Sequence, residues 1–302
     1  MAAWRLHLSD QTVRRLDILP GKPSVLAAWT GPRRVFFFDL SHGSRLGERA
    51  YDGILPPVRT GEPWQTFVYG FRAPNEATLP VVRAAGLTLY TSTDGATRVL
   101  HDDDTGDLLL NTGDQHVRLH RDASVSFVAV AYDRAAGLIA ALDAGGRLHT
   151  YKRDLRLAIV DLKLAVDDWR PSLVLPQTGN TVICSNGETV VATDPAGQVR
   201  KRLTLHYRLG PMACSLDGKN LALGDADIGV IRIYDADLQS THQRFAADML
   251  ADARRVQLLG GIGGSSSMLT ALALNNRGVL AFAVAGIVCV SSMSRMAVLP
   301  RD

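Results

Sequence analysis

Short apolar strands separated by Gly, Asp and Asn turns recur along the whole of this 302-residue chain, and this recurrence restricts the fold more than any other feature. The clearest unit has a first strand at 126–131, a turn at 133–137 and a second strand at 138–142. After the Gly145-Gly146 turn come a third strand at 147–151 and a fourth around Leu155–Asp161. The same order returns from Pro211, with a strand at 212–215, the turn Asp217-Gly218-Lys219, a strand at 221–224 and a strand at Val230–Asp235. Weaker copies lie at 13–51, 173–205 and 268–299, and the most eroded begins at Trp64.

Second strands anchored at Val25, Leu79, Leu138, Val182, Leu221 and Leu280 are spaced by 54, 59, 44, 39 and 59 residues. The shorter spacings approach the roughly 40–45 residues of one four-stranded propeller blade. Six units are counted, and a seventh would have to lie in the irregular stretch 102–120. The strands mix large and small apolar residues without strict polar alternation, as expected of a sheet packed on both faces. One such sheet cannot cover its own faces, so the units are expected to close into a ring, with residues 4–8 supplying the closing strand. The expected fold is all-β: a single closed β-propeller domain over 1–302, made of four-stranded blades, with a short inserted helix. A β-sandwich with a smaller second domain is the alternative, but it would not require one unit to return six times.

At Ser215-Leu216-Asp217-Gly218-Lys219, Leu221-Ala222-Leu223-Gly224 and Ile231-Arg232-Ile233-Tyr234-Asp235 the sequence resembles the WD40 repeat family. The shared order is a first strand, a D-G turn, a small-residue second strand and a third strand ending in aromatic-Asp. Phe38-Asp39 takes the same place in the first unit, and Thr193-Asp194 keeps the Asp alone. No unit ends in Trp-Asp and no Gly-His dipeptide precedes a first strand. The family's Asp-His-Ser/Thr-Trp hydrogen-bond network therefore has no support, and the blades are expected to be held mainly by packing. The run 193–199 also looks like the PQQ-type propeller repeat. The WD40 resemblance implies a rigid interaction platform, usually without catalysis.

Composition narrows the setting. With 46% hydrophobic and 21% charged residues the chain can bury a large core, which excludes disorder. A net charge of +3 is too small to imply nucleic acid by itself. Cys184, Cys214 and Cys289 lack C-x-x-C spacing, and no secretory h-region follows Met1, so reduced thiols and a cytoplasmic location are expected. The longest apolar run, 279–290, is too short for a membrane helix and reads as two strands joined at Ala285-Gly286, so no membrane insertion is expected.

Candidate chemistry is sparse. His116 and His120 have a helical metal-ligand spacing, but on a strand they would stand about 13 Å apart, beyond one zinc. The run 101–107 collects Asp102, Asp103, Asp104 and Asp107 but misplaces the glycine of a calcium loop, so a solvated acidic loop is expected. The glycine-rich run 260–267 lacks the helix and Lys of a phosphate loop and reads as a loop between blades. No G-x-S-x-G signature occurs, and no cofactor, metal or catalytic residue is assigned.

Two features could serve a partner. Within 241–259, Phe245, Met249, Leu250, Ala253 and Val256 recur at three- and four-residue intervals, as on a short amphipathic helix, with Arg254 and Arg255 beside them. The alternative is that this stripe packs on the chain's own core. Arg200-Lys201-Arg202 is the densest basic cluster; Arg14-Arg15 and Arg33-Arg34 are shorter. The expected function is a non-catalytic scaffold for one or more proteins in a cytosolic assembly, without nucleic acid. A propeller enzyme of metal-dependent hydrolase or lactonase type, with a central-channel site, is the alternative. Mostly apolar strands at 127–131 and Leu269–Leu274 argue against it, and stoichiometric Ca²⁺ or Zn²⁺ in the purified protein would favour it.

Overall fold

The computed structural model describes residues 2–8, 12–19, 24–30, 34–50, 87–91, 97–102, 106–112, 115–133, 136–165, 171–176, 178–258, 269–284 and 286–299. These form six sheets, four of four strands and two of five. One compact unit is built from the described residues of 1–51 and 206–302, the other from those of 65–205.

The first unit holds three sheets. One is the antiparallel meander Val13–Leu19, Val25–Thr30, Arg34–Asp39 and Arg45–Ala50. Another runs Leu209–Cys214, Asn220–Asp225, Val230–Asp235 and Ser240–Phe245, with Ala297–Val298 added outside the last. The third combines Leu269–Leu274, Val279–Val284 and Ile287–Ser292 with Trp4–His7, which pairs antiparallel to Ile287–Ser292. Arg254–Leu258 then lies parallel to Trp4–His7 on its outer side. The apolar run at 279–290 is thus a hairpin, with Val284 opposite Ile287. Among the described residues no helix is long and apolar enough to cross a membrane.

Size complementarity explains how these sheets stack. Strand residues alternate sides, so Ala281 and Ala283 face one neighbour while Leu280, Phe282 and Val284 face the other. The alanine side, with Ala271 and Ala273, receives the bulky Phe36, Phe38 and Leu26; the large side meets Ala213, Ala222, Ile231 and Ile233. Small residues opposite large ones give interior density without voids. This is why the strands show no strict polar alternation.

The second unit repeats the plan. Its sheets are Leu87–Thr91, Thr97–Asp102, Leu108–Thr112 and Gln115–His120; then Phe127–Asp133, Leu138–Asp143, Arg147–Lys152 and Leu155–Asp161; then Ser172–Val174, Val182–Ser185, Thr189–Thr193 and Val199–Thr204. Leu138–Asp143 is buried at all six positions; Ile139 and Ala141 face one cluster, Leu138, Ala140 and Leu142 the other. The place left for a seventh unit is taken. The stretch 102–120 is not a separate seventh repeat, because it supplies the third and fourth strands of the sheet that begins at Leu87. The anchor Leu79 and the start at Trp64 lie outside the described residues.

The Asp at the end of three of the third strands has a structural cause. Asp39, Asp194 and Asp235 each open a turn in which their own N–H bonds to a residue four or five ahead, and their carboxylates accept further N–H groups. The turns carry Gly43, Gly197 and Leu238 at positive φ. The aromatic-Asp endings thus act as turn locks.

Candidate functional site

The segment expected to form an amphipathic docking helix is divided differently. Ser240–Phe245 is an outer strand, the helix α1 covers only Ala246–Asp252, and Arg254–Leu258 is again a strand. Met249 is 1% exposed and packs with Ala246, Ala253, Phe282 and Cys289, with Leu250 partly buried against the same core. The stripe therefore serves the unit's own interior, which corrects the placement of Met249 and Leu250 on an outer face. Phe245 remains half-exposed at the helix start, and Arg254 is exposed on the strand beside Trp4. The side chain of Arg255 lies outside the described residues, as do Arg33, the side chains of Arg14 and Arg15, and the run 260–267. Met249→Ala should lower unfolding free energy by about 2–4 kcal/mol, against about 0.5 kcal/mol for Phe245→Ala, in urea titration. Equal losses would contradict this placement.

Arg200, Lys201 and Arg202 belong to the second unit, exposed on the outer strand Val199–Thr204. The Arg202 guanidinium donates to Leu162 O at 2.5 Å, and Val160 packs directly on Gly197, so this strand adjoins the outer strand Leu155–Asp161. Leu155, Leu157 and Ile159 on that neighbour are 66%, 40% and 39% exposed, and Val199 is 43% exposed. Leu157 is the extra residue of a bulge, so Leu155 and Ile159 face opposite sides of the sheet. The signal for the aliphatic exposure was in the sequence: the fourth strand of a unit is its outermost, so Leu, Leu and Ile there face solvent rather than core.

Interior polar groups form a second centre in the same unit. The His149 Nε2–H donates to Asp143 Oδ2 at 2.9 Å; Arg147 donates to the same carboxylate from Nε at 2.7 Å and from its backbone N–H at 2.9 Å. Asp143 and His149 are each 1% exposed as side chains. Burial by itself would raise the Asp143 carboxyl, but the hydrogen bonds from His149 and Arg147 outweigh it and hold it at about 2. The rings of His120, Phe127 and His149 meet edge to face at 5.0–5.5 Å between centroids. Burial, with the charges of His149, Arg156 and Arg147 against that of Asp122, pushes His120 below its ordinary range. In the first unit Asp225 and Arg232 occupy the corresponding places, at 3.3 Å, with Arg232 stacked 4.1 Å over Tyr207. These pairs add to the packing that is expected mainly to hold the sheets; one partner comes from the end of a second strand and the other from a third.

His116 and His120 lie on one strand, as the reading of their spacing required. Among the described residues no three His, Cys, Asp or Glu side chains converge to hold a metal ion. Burial pushes the thiols of Cys184, Cys214 and Cys289 up to about 12, so they are protonated and poorly nucleophilic at neutral pH.

The sequence matches no known family profile and no curated protein. Solved structures do resemble it. Raptor of Chaetomium thermophilum aligns with a TM-score of 0.66 and 10% identity over 99% of this chain, which spans only 29% of the Raptor chain. The β-propeller domain of Cps50 (Swd1) from Myceliophteria thermophila aligns at 0.50 with 12% identity, covering 93% of this chain and 82% of that one. BamB from Moraxella catarrhalis aligns at 0.51 with 14% identity, covering 94% and 84%. The fold is of the propeller-repeat type. At these identities the likeness concerns the fold alone.

Proposed function

We propose that this chain is a non-catalytic protein-interaction platform: one β-propeller domain closed from six blades, working in the cytoplasm within a multiprotein assembly and binding protein rather than nucleic acid. The observation that carries the reading is the pair of adjoining outer strands Leu155–Asp161 and Val199–Thr204, on which Leu155, Leu157, Ile159 and Val199 stand exposed along with Arg156, Arg200 and Lys201. Large aliphatic residues left exposed among charged ones are characteristic of protein contact sites. A stack of sheets with interlocking faces supports the reading, since a rigid surface binds without an ordering cost on its own side.

The test is affinity purification from the native host, using as bait the wild-type chain and a Leu155→Ser/Leu157→Ser/Ile159→Ser variant. The expected result is a stoichiometric partner on the wild type, reduced about tenfold on the variant, with both baits melting at similar temperatures because surface changes cost little. A wild-type chain that runs alone at 32.6 kDa in size-exclusion chromatography would overturn the platform reading.

A further inference from the structure

We propose that the contact between the sheet ending at Gln115–His120 and the sheet beginning at Phe127–Asp133 is a pH-sensitive seam, which opens locally when His120 takes up a proton while the rest of its unit stays folded. The seam operates whether or not a protein partner docks, so it goes beyond the platform reading and does not rest on it.

Apolar packing makes most of this contact, with Leu108, Leu110 and Leu119 meeting Phe127, Ile139 and Ala141. Its polar part is a pair of imidazoles. The rings of His120 and His149 stand at 85° with centroids 5.2 Å apart, and Phe127 meets both edge to face. His149 Nε2–H is committed to Asp143 Oδ2, so the neutral ring keeps a bare Nδ1, which is buried and unbonded. His120 Nε2 is likewise buried, with no hydrogen-bond partner among the described residues. In a neutral His120 that nitrogen can be the bare one. In the imidazolium it must carry a hydrogen that has no acceptor within bonding distance, and an unmet buried donor is costly.

The surrounding charges oppose the proton as well. Burial holds the His120 imidazole below its ordinary range, helped by His149 and Arg147 on Arg147–Lys152 and by Arg156 on Leu155–Asp161; Asp122, in the turn that follows the ring, acts the other way. The Asp143 carboxylate, on Leu138–Asp143, is already occupied by His149 and Arg147. On the ring's own sheet Asp107 is paired with Arg118 at 3.1 Å, and the Tyr151 phenol across the seam is pushed by burial up to about 12 and stays neutral. An opened seam releases His120 to water and to its ordinary 6.5. The open form therefore binds the proton more readily, and falling pH favours it below 6.5.

The full chain tests this with two readouts. Imidazole Cε1–H resonances follow the titration of His120, and amide hydrogen exchange, corrected for its intrinsic pH dependence, follows opening at pH 7.5 and 5.5. Exchange is read along Gln115–His120 and at Val125, whose N–H donates to Asp122 O at 2.9 Å. The strands Val182–Ser185 and Thr189–Thr193 belong to a sheet without histidine and serve as the internal control. The expected result is a His120 midpoint below 6.5 and exchange that rises about tenfold at the seam between the two pH values, the ceiling for one imidazole released to 6.5, with the control unchanged. His120→Phe keeps an aromatic ring against Phe127 and should abolish the rise. Because that variant also alters packing, two charge variants provide an independent arm: Arg156→Gln should raise the His120 midpoint and Asp122→Asn lower it, each by about 0.3 pH unit, with exchange following. A midpoint above 6.5, as a proton shared between the two rings would give, overturns the proposal. So does an equal rise in the control strands, a rise that persists in His120→Phe, or midpoints that move in the charge variants while exchange does not.

Discussion

Asp143→Leu should lower the unfolding free energy by about 3–5 kcal/mol at pH 7, the range for removing one member of a buried, hydrogen-bonded charged group. The carboxylate accepts from His149 Nε2, Arg147 Nε and Arg147 N, and leucine leaves all three donors facing an apolar group. His149 has no alternative partner for its other nitrogen, since Nδ1 is buried and unbonded among the described residues. The acid response should change as well. Asp143 is held at about 2, below the ordinary 3.8, so its contribution is present above pH 3.8 and is lost as pH falls toward 2. His120 is also depressed, below 6.5, so the native state resists its protonation and stability declines as pH drops below 6.5. Melting curves across a pH series should therefore show two descending stretches in the wild type. The upper should persist in Asp143→Leu and the lower should shrink, its remainder belonging to other depressed carboxylates such as Asp217. A loss below about 1 kcal/mol, or an unchanged lower stretch, would show that water replaces the lost contacts.

Gly146→Ala should be the most damaging glycine substitution in the Leu138–Asp143 to Arg147–Lys152 hairpin, at about 3 kcal/mol or more. Two penalties coincide. The residue sits at φ +78, where a side chain costs about 1–2 kcal/mol, and a Cβ would overlap the Leu164 carbonyl, with Leu164 N only 3.2 Å away. Backbone there cannot step aside easily, because Leu162 N donates to Gly146 O at 3.2 Å and Leu162 and Leu164 are buried in the core. Gly137 provides the contrast. It has φ +63, but a Cβ would meet only Arg153 Cγ at 3.4 Å, so Gly137→Ala should cost the conformational term of about 1 kcal/mol alone. Urea titration of the two variants separates the terms, and equal losses would refute the collision.

How far the fold was legible varied with how local its causes were. The hairpin 138–152 and the strand Val230–Asp235 were readable to within a residue, since apolar runs bounded by Gly and Asp turns record backbone preference and burial directly. The second sheet was misplaced because Leu108–Thr112 and Gln115–His120 are short, polar at their ends and preceded by an acidic run that imitates a loop. The docking helix was misread for another reason: spacings of three and four residues describe one face of a helix, but Phe245 is extended opposite Val230 of the preceding strand and Arg254 is extended beside Trp4, far away in sequence. The polar pairs Asp143–His149 and Asp225–Arg232 carry no signature, because six or seven residues separate partners brought together by a hairpin.

The residues in order were enough for the all-β class, the four-strand unit, the turns that Asp and Gly impose, and the strand at Trp4–His7. Each follows from short-range periodicity and backbone sterics, which a sequence records position by position. Which outer strand would be covered was decided only by the tertiary structure. Ser240–Phe245 is shielded because Ala297–Val298 returns to it from more than fifty positions away, whereas Leu155–Asp161 has no such strand among the described residues. Pairing at an edge depends on where distant segments finish, and no local pattern encodes that.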